Sequence, residues 1–198
     1  MDINTLTQKS QQAVLAARQS AARRNHQSVQ PLHMLDAMLG QTDTVLYPLL
    51  GHLDINPAAL RNTTEAALTR IPAVYGDTTE LAFDPASLTT LDTANSIKTG
   101  MGDQYVSIEH LLLALATASD PVGDVMREAG LTRDAIMSAL ENVRGAHRLT
   151  SQQPADTLAP LDPCGRARVK LAAGGTLDPV IGRDAALRRV IQVLSRRT

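Results

Sequence analysis

The stretch GDQYVSIEHLLLALA, Gly102–Ala116, sets a loop, an acidic pair and a histidine directly against an apolar run. Earlier in the chain, NHQSVQPLHMLDAML, Asn25–Leu39, has nearly the same layout. Aligning Val29 with Val106 matches His33 with His110, Leu35 with Leu112, Ala37 with Ala114, Asp43 with Asp120 and Val45 with Val122 at a constant offset of 77. Upstream the offset pairs Val14 with Leu91 and Ala17 with Ala94; downstream, after one deletion, it pairs Ala59 with Ala135 and Glu65 with Glu141. An internal repeat fixes the architecture before any single motif is weighed. One unit therefore occurs twice, in residues 1–75 and 80–147.

Each unit reads as four helices. In the second, Asp84-Pro85 supplies an N-cap and a first-turn proline, and the helix runs to about Thr99, ended by Gly100 and Gly102. Ser107 caps the next, to about Thr117, with Glu109 in a first turn whose dipole favours a carboxylate. Helices at about Val122–Ala129 and Arg133–Val143 follow, the last capped by Thr132. The first unit repeats this at about Thr5–Arg24, Pro31–Leu39, Val45–His52 and Pro57–Thr69. No segment alternates with period two, so the fold class is all-α, a pseudo-two-fold domain of eight helices over residues 1–147.

Composition agrees with that reading and removes several functions. Aromatic residues make up 2% of the chain, so the core is aliphatic, and little is left for stacking on exposed bases. A net charge of -1 gives no general attraction to nucleic acid or an anionic membrane. The longest apolar run, Leu111–Ala116, is far short of the roughly 20 residues of a bilayer span. A single cysteine, Cys164, forms no intrachain disulfide, and no secretory leader pattern opens the chain, so a reducing, cytoplasmic location is the expectation.

Beyond Gly145 the texture changes. Residues 148–175 are rich in Ser, Thr, Gln and Pro and read as a linker. Residues 176–198, ending LDPVIGRDAALRRVIQVLSRRT, regain an amphipathic helical pattern with Leu187, Val190, Ile191 and Leu194 on one face.

Taken together, the paired four-helix repeat, the GDQYVSIEHLLLALA element and the closing LDPVIGRD segment resemble, in that order, the N-terminal region of the Clp family of AAA+ unfoldases, most closely its disaggregase branch. In that family the last segment opens the first ATPase module. The resemblance implies that Val180, Ile181 and Gly182 lie beside the adenine in a full-length protein, with ATP and Mg as its cofactors. The chain contains no G-x-x-x-x-G-K-[ST] phosphate loop and no acidic strand to follow it, so it is expected to be a piece of a larger ATPase, without cofactor or enzymatic activity of its own. The stretch PLDPCGRARVKLAAGG departs from the tyrosine- and acid-bearing helix usual there.

The resemblance also implies a role for Thr7, Asp103 and Glu109 in contacting exposed segments of substrate polypeptide. Each has a structural alternative: a first-turn residue, a turn residue after Gly102, and a dipole-compensating carboxylate. Acidic groups beside an aliphatic groove suit unfolded chains, because apolar burial is worth about 25 cal/mol per Å² and the carboxylates favour basic neighbours. Leu91, Leu112 and Leu115 are candidates for the groove, with the core as the alternative. His33 and His110 are expected in separate bundles, each satisfied by backbone or a neighbouring helix, with no second ligand at metal-binding spacing. His26 and His52 read as surface positions, and Cys164 has no histidine near it to make a nucleophile. Arg188, Arg189, Arg196 and Arg197 read as solvated or inter-subunit contacts.

The expected function is a substrate-engaging module that recruits unfolded or aggregated protein to a homohexameric, ATP-driven disaggregase working with a DnaK-type chaperone system. The alternative is an adaptor-docking module of a ClpC- or ClpA-like unfoldase that feeds a protease. The fragment itself is expected to be a monomer, with no nucleic acid and no membrane among its partners.

Overall fold

Capping chemistry sets the start of each helix in the computed structural model, which describes residues 3–74 and 81–144. After a 3-10 turn, Ile3–Thr5, eight α-helices follow among the described residues: α1 Gln8–Arg23, α2 Pro31–Leu39, α3 Leu46–His52, α4 Pro57–Thr69, α5 Pro85–Met101, α6 Ile108–Ala116, α7 Pro121–Glu128 and α8 Arg133–Arg144. Asn56, Asp84 and Asp120 each precede a proline at the first helical position and accept hydrogen bonds from first-turn N–H groups. The expected linker 148–175, the segment 176–198 with Val180, Ile181 and Gly182, Cys164 and the terminal arginines lie outside the described residues.

α5 runs through Gly100 and stops at Gly102, which takes the left-handed conformation at φ 73°. Any side chain there strains the backbone, so Gly102→Ala is expected to cost about 1 kcal/mol in urea denaturation. A larger loss would mean that the new methyl also clashes.

The core is shared by the two copies, which corrects the expectation of separate bundles. α2 packs against α1, α4, α5, α6 and α7, and α6 against α1, α5, α7 and α8. α3 packs on α8 and α4 on α7, so the third and fourth helices of each copy are completed by the other. One contiguous apolar cluster contains Leu35, Met38, Leu50 and Leu68 from the first copy and Leu111, Leu113, Met126 and Ile136 from the second. Every residue of α6 from Ile108 to Leu115 is buried, and in α2 all but Asp36 are. LLLALA is therefore the interior of a helix covered all round, not one apolar side of a surface helix.

Backbone hydrogen bonds cross between the copies at two equivalent places. The Thr7 N–H donates to the Val106 carbonyl (2.9 Å) and the Val106 N–H to the Thr5 carbonyl (2.8 Å). At the counterpart positions, Asp84 N–H donates to the Val29 carbonyl (3.0 Å) and Val29 N–H to the Ala82 carbonyl (2.9 Å). The buried Ser87 hydroxyl adds a third bond to the Val29 carbonyl, at 2.8 Å. Engagement of Thr5 and Leu6 in this seam explains why α1 begins later than its sequence pattern suggests.

Candidate functional site

Thr7 is the N-cap of α1, not a first-turn residue: its Oγ1 accepts from the Ser10 N–H at 3.3 Å and lies 3.0 Å from the Ser10 hydroxyl. Through the seam it is tied to Val106, three residues from both Asp103 and Glu109. The structure thus brings the start of α1 onto the loop and first turn that carry the two acids. All three are nearly enclosed, with exposures of 1% for Thr7, 6% for Asp103 and 5% for Glu109.

His110 organises this corner. Its Nδ1 accepts the Ser107 backbone N–H at 3.0 Å and lies 2.9 Å from the Ser107 hydroxyl, closing a capping box at the start of α6. A nitrogen that accepts an N–H carries no hydrogen, so the ring hydrogen sits on Nε2 and is donated to the Asp103 Oδ2, 3.1 Å away. Both side chains are fully enclosed. The histidine therefore anchors the acidic loop to the helix start.

The first copy carries the same device with one exchange. His33 Nδ1 accepts the Gln30 N–H at 2.9 Å, so its Nε2–H points at His26 Nδ1, 2.8 Å away. His26 stands where the second copy has Asp103. It is 5% exposed, against the surface position expected from sequence, because its ring lies edge-on to His33 with centroids 5.0 Å apart. In this chain of hydrogen bonds neither ring has an accepting nitrogen left between them for a second proton. Burial, and then the neighbouring His26, push His33 down to about 4. Burial and then the Arg24 guanidinium push His26 down as well. The pairing of two histidines seven apart was open to sequence reading, since the repeat places His26 opposite Asp103; the residue types, one polar ring and one acid, hid the equivalence.

Leu112 and Leu115 are 1% and 0% exposed and Leu91 is 7% exposed, so they belong to the core and form no groove wall. The reason is the all-round burial of α6. Near the acids, the apolar side chains that keep exposed surface are the half-buried Tyr105 on the same loop and Met101 at the end of α5. Sequence reading passed over both. Among the described residues no group of three or more His, Cys, Asp or Glu is placed to hold a metal ion, and no helix is long and apolar enough to cross a membrane.

The duplicated helical unit, with its crossed seam and histidine-capped central helices, defines a class of paired-repeat domain. The family described as Clp repeat (R) N-terminal domain matches residues 5–129, and the chain belongs to that family. Within it, the whole chain is 38% identical, over 198 residues, to the chaperone protein ClpB of Mycobacterium tuberculosis (strain H37Rv). It is 39% identical over 203 aligned positions to ClpB of Nitratidesulfovibrio vulgaris. The chain spans 23% and 24% of the length of those relatives. The crystal structure of the Hsp104 N-terminal domain from Candida albicans superimposes with a TM-score of 0.68 at 26% identity, covering 76% of this chain and 98% of that one.

Proposed function

We propose that the chain is the substrate-engaging N-terminal module of an ATP-driven protein disaggregase, one that recruits unfolded or aggregated polypeptide to the motor. The observation that carries this reading is the similarity to ClpB chaperones along the full length of the chain, at 38–39% identity. The same relatives favour a disaggregase over a protease-linked unfoldase. In this reading the full-length protein is a cytoplasmic homohexamer that binds ATP and Mg and works with a DnaK-type chaperone. The residues described here supply recognition, and the ATPase activity belongs to the rest of that protein.

Recognition is assigned to the corner built from Thr7, Asp103 and Glu109. The Asp103 and Glu109 carboxylates are enclosed, so they act through the negative charge they place under this corner, which favours lysine and arginine in a passing segment without direct contact. Tyr105 and Met101 supply apolar contact where the leucines cannot.

Binding of a labelled unstructured polypeptide to the 198-residue chain tests this directly. The combined variant Thr7→Val, Asp103→Asn, Glu109→Gln keeps side-chain shape and is expected to weaken binding about tenfold, the loss of roughly 1.4 kcal/mol. Undiminished binding by a folded triple variant, or none by the parent chain, rejects the proposal.

A further inference from the structure

The two copies differ sharply on the outer side of their first and second helices. In the first, the Lys9 side chain is 28% exposed and pairs its ammonium with Asp43. Gln41 reaches back to donate from Nε2 to the Lys9 carbonyl at 3.1 Å. At the offset of 77, Lys9 becomes Ala86, Gln41 becomes Ala118 and Asp43 becomes Asp120. The two side chains that fill the first copy are thus both reduced to methyl groups, while the acid is kept.

Where they are missing, a groove of about 420 Å³ opens between α5, the end of α6 and the start of α7. Ala86 and Ala118 line it together with Thr89, Thr93, Thr117 and Asp120. Asp120 spends Oδ1 as the N-cap of α7, accepting from Val122 N–H at 3.2 Å and Gly123 N–H at 3.4 Å. Its Oδ2 has no hydrogen-bond partner among the described residues. The first turn of α7 is pressed onto the loop that follows α6, since a Cβ on Gly123 would stand 1.9 Å from the Ala118 carbonyl oxygen. Arg127, on the same helix, is engaged by the Ala118 carbonyl and by Asp124. Asp84 joins Asp120 in lining the adjoining depression, so the neighbourhood stays acidic.

We propose that this groove takes a lysine side chain of a bound polypeptide, its ammonium on Asp120 as Lys9 meets Asp43 in the first copy. The hydroxyls of Thr89, Thr93 and Thr117 offer oxygen atoms to the remaining ammonium hydrogens, and the methyl groups of Ala86 and Ala118 flank the aliphatic stem. The inference rests on the chain's engaging polypeptide, but places a contact away from the Thr7, Asp103 and Glu109 corner.

The test is fluorescence anisotropy of the 198-residue chain with a short labelled unstructured peptide containing lysines, beside the same peptide with norleucine at those positions. The lysine peptide is expected to bind about fivefold more tightly, the upper end for a solvent-exposed pair. Ala86→Lys, which installs the first copy's own plug, and Asp120→Asn, which keeps the N-cap, are each expected to abolish that preference. Ser96→Lys adds the same charge on the exposed face of α5 and is expected to preserve it. Equal binding of the two peptides, or a preference that survives Ala86→Lys, overturns the inference while leaving polypeptide binding intact. Failure of both peptides to bind overturns it together with the proposed function.

Discussion

Acidification from pH 7 to pH 4 is expected to remove roughly 3 kcal/mol of stability through His33, about 1.36 kcal/mol for each unit by which its pKa falls on folding. The unfolded chain takes up a proton near the ordinary value of 6.5, whereas the folded one resists until about 4. Between those values the unfolded state binds more protons, so stability is complete above the first, declines as pH falls, and levels off below the second. His26 is shifted in the same direction and adds to the decline. Arg24 opposes protonation of both rings, and Asp36, held by the Ser20 hydroxyl at 2.7 Å, favours protonation of His33 only weakly. Glutamine is a standard residue at the third position of a capping box, so His33→Gln keeps the helix start and removes the titration. Urea unfolding across this range checks the account. It fails if the parent chain's stability is flat from neutral pH to pH 4, or if His33→Gln shows the same slope.

His110→Ala is expected to be the most damaging of the single changes considered, at about 3–5 kcal/mol. It removes the acceptor for the Ser107 N–H, withdraws a donor from a carboxylate with no exposed side-chain surface, and leaves a void beside α6. His33→Ala leaves behind a neutral imidazole and is expected to cost about 2 kcal/mol, the scale of a lost buried hydrogen bond with some cavity. Denaturation midpoints of the two variants at neutral pH decide the matter. Equal losses would show that the Asp103 carboxylate does not depend on its histidine. Replacing Asp103 together with His110 is expected to recover part of the loss, because the enclosed charge that loses its histidine donor is removed with it.

The helices were legible because their signals are local. Asp84-Pro85 marked the start of α5, Pro31 and Pro57 those of α2 and α4, and Ser107 and Thr132 those of α6 and α8, so each observed boundary lies within a few residues of its expected place. The duplication was legible because a constant offset survives substitution. Burial of the leucines in α6 was not, since Leu112 and Leu115 look the same in sequence whether a helix has one covered side or is covered all round. That depends on α1 and α2 of the other copy reaching α6, which no local pattern records. The misplacement of His26 has the same origin: its partner is set by a ring seven residues away, across a turn. The Lys9 and Ala86 contrast became visible only after the fold showed what each position fills.

The crossed seam has a consequence for how the domain comes apart. Val29 is paired with Ala82 and Asp84, and Val106 with Thr5 and Thr7, so each copy holds closed the entrance to the other's first helix. Fraying of either copy strips backbone partners from its sister and uncovers α2 and α6 at once. The domain is accordingly expected to open as a single cooperative unit, although its sequence is a duplicated one. A force applied to either end of the domain is expected to be shared across both halves until they open together.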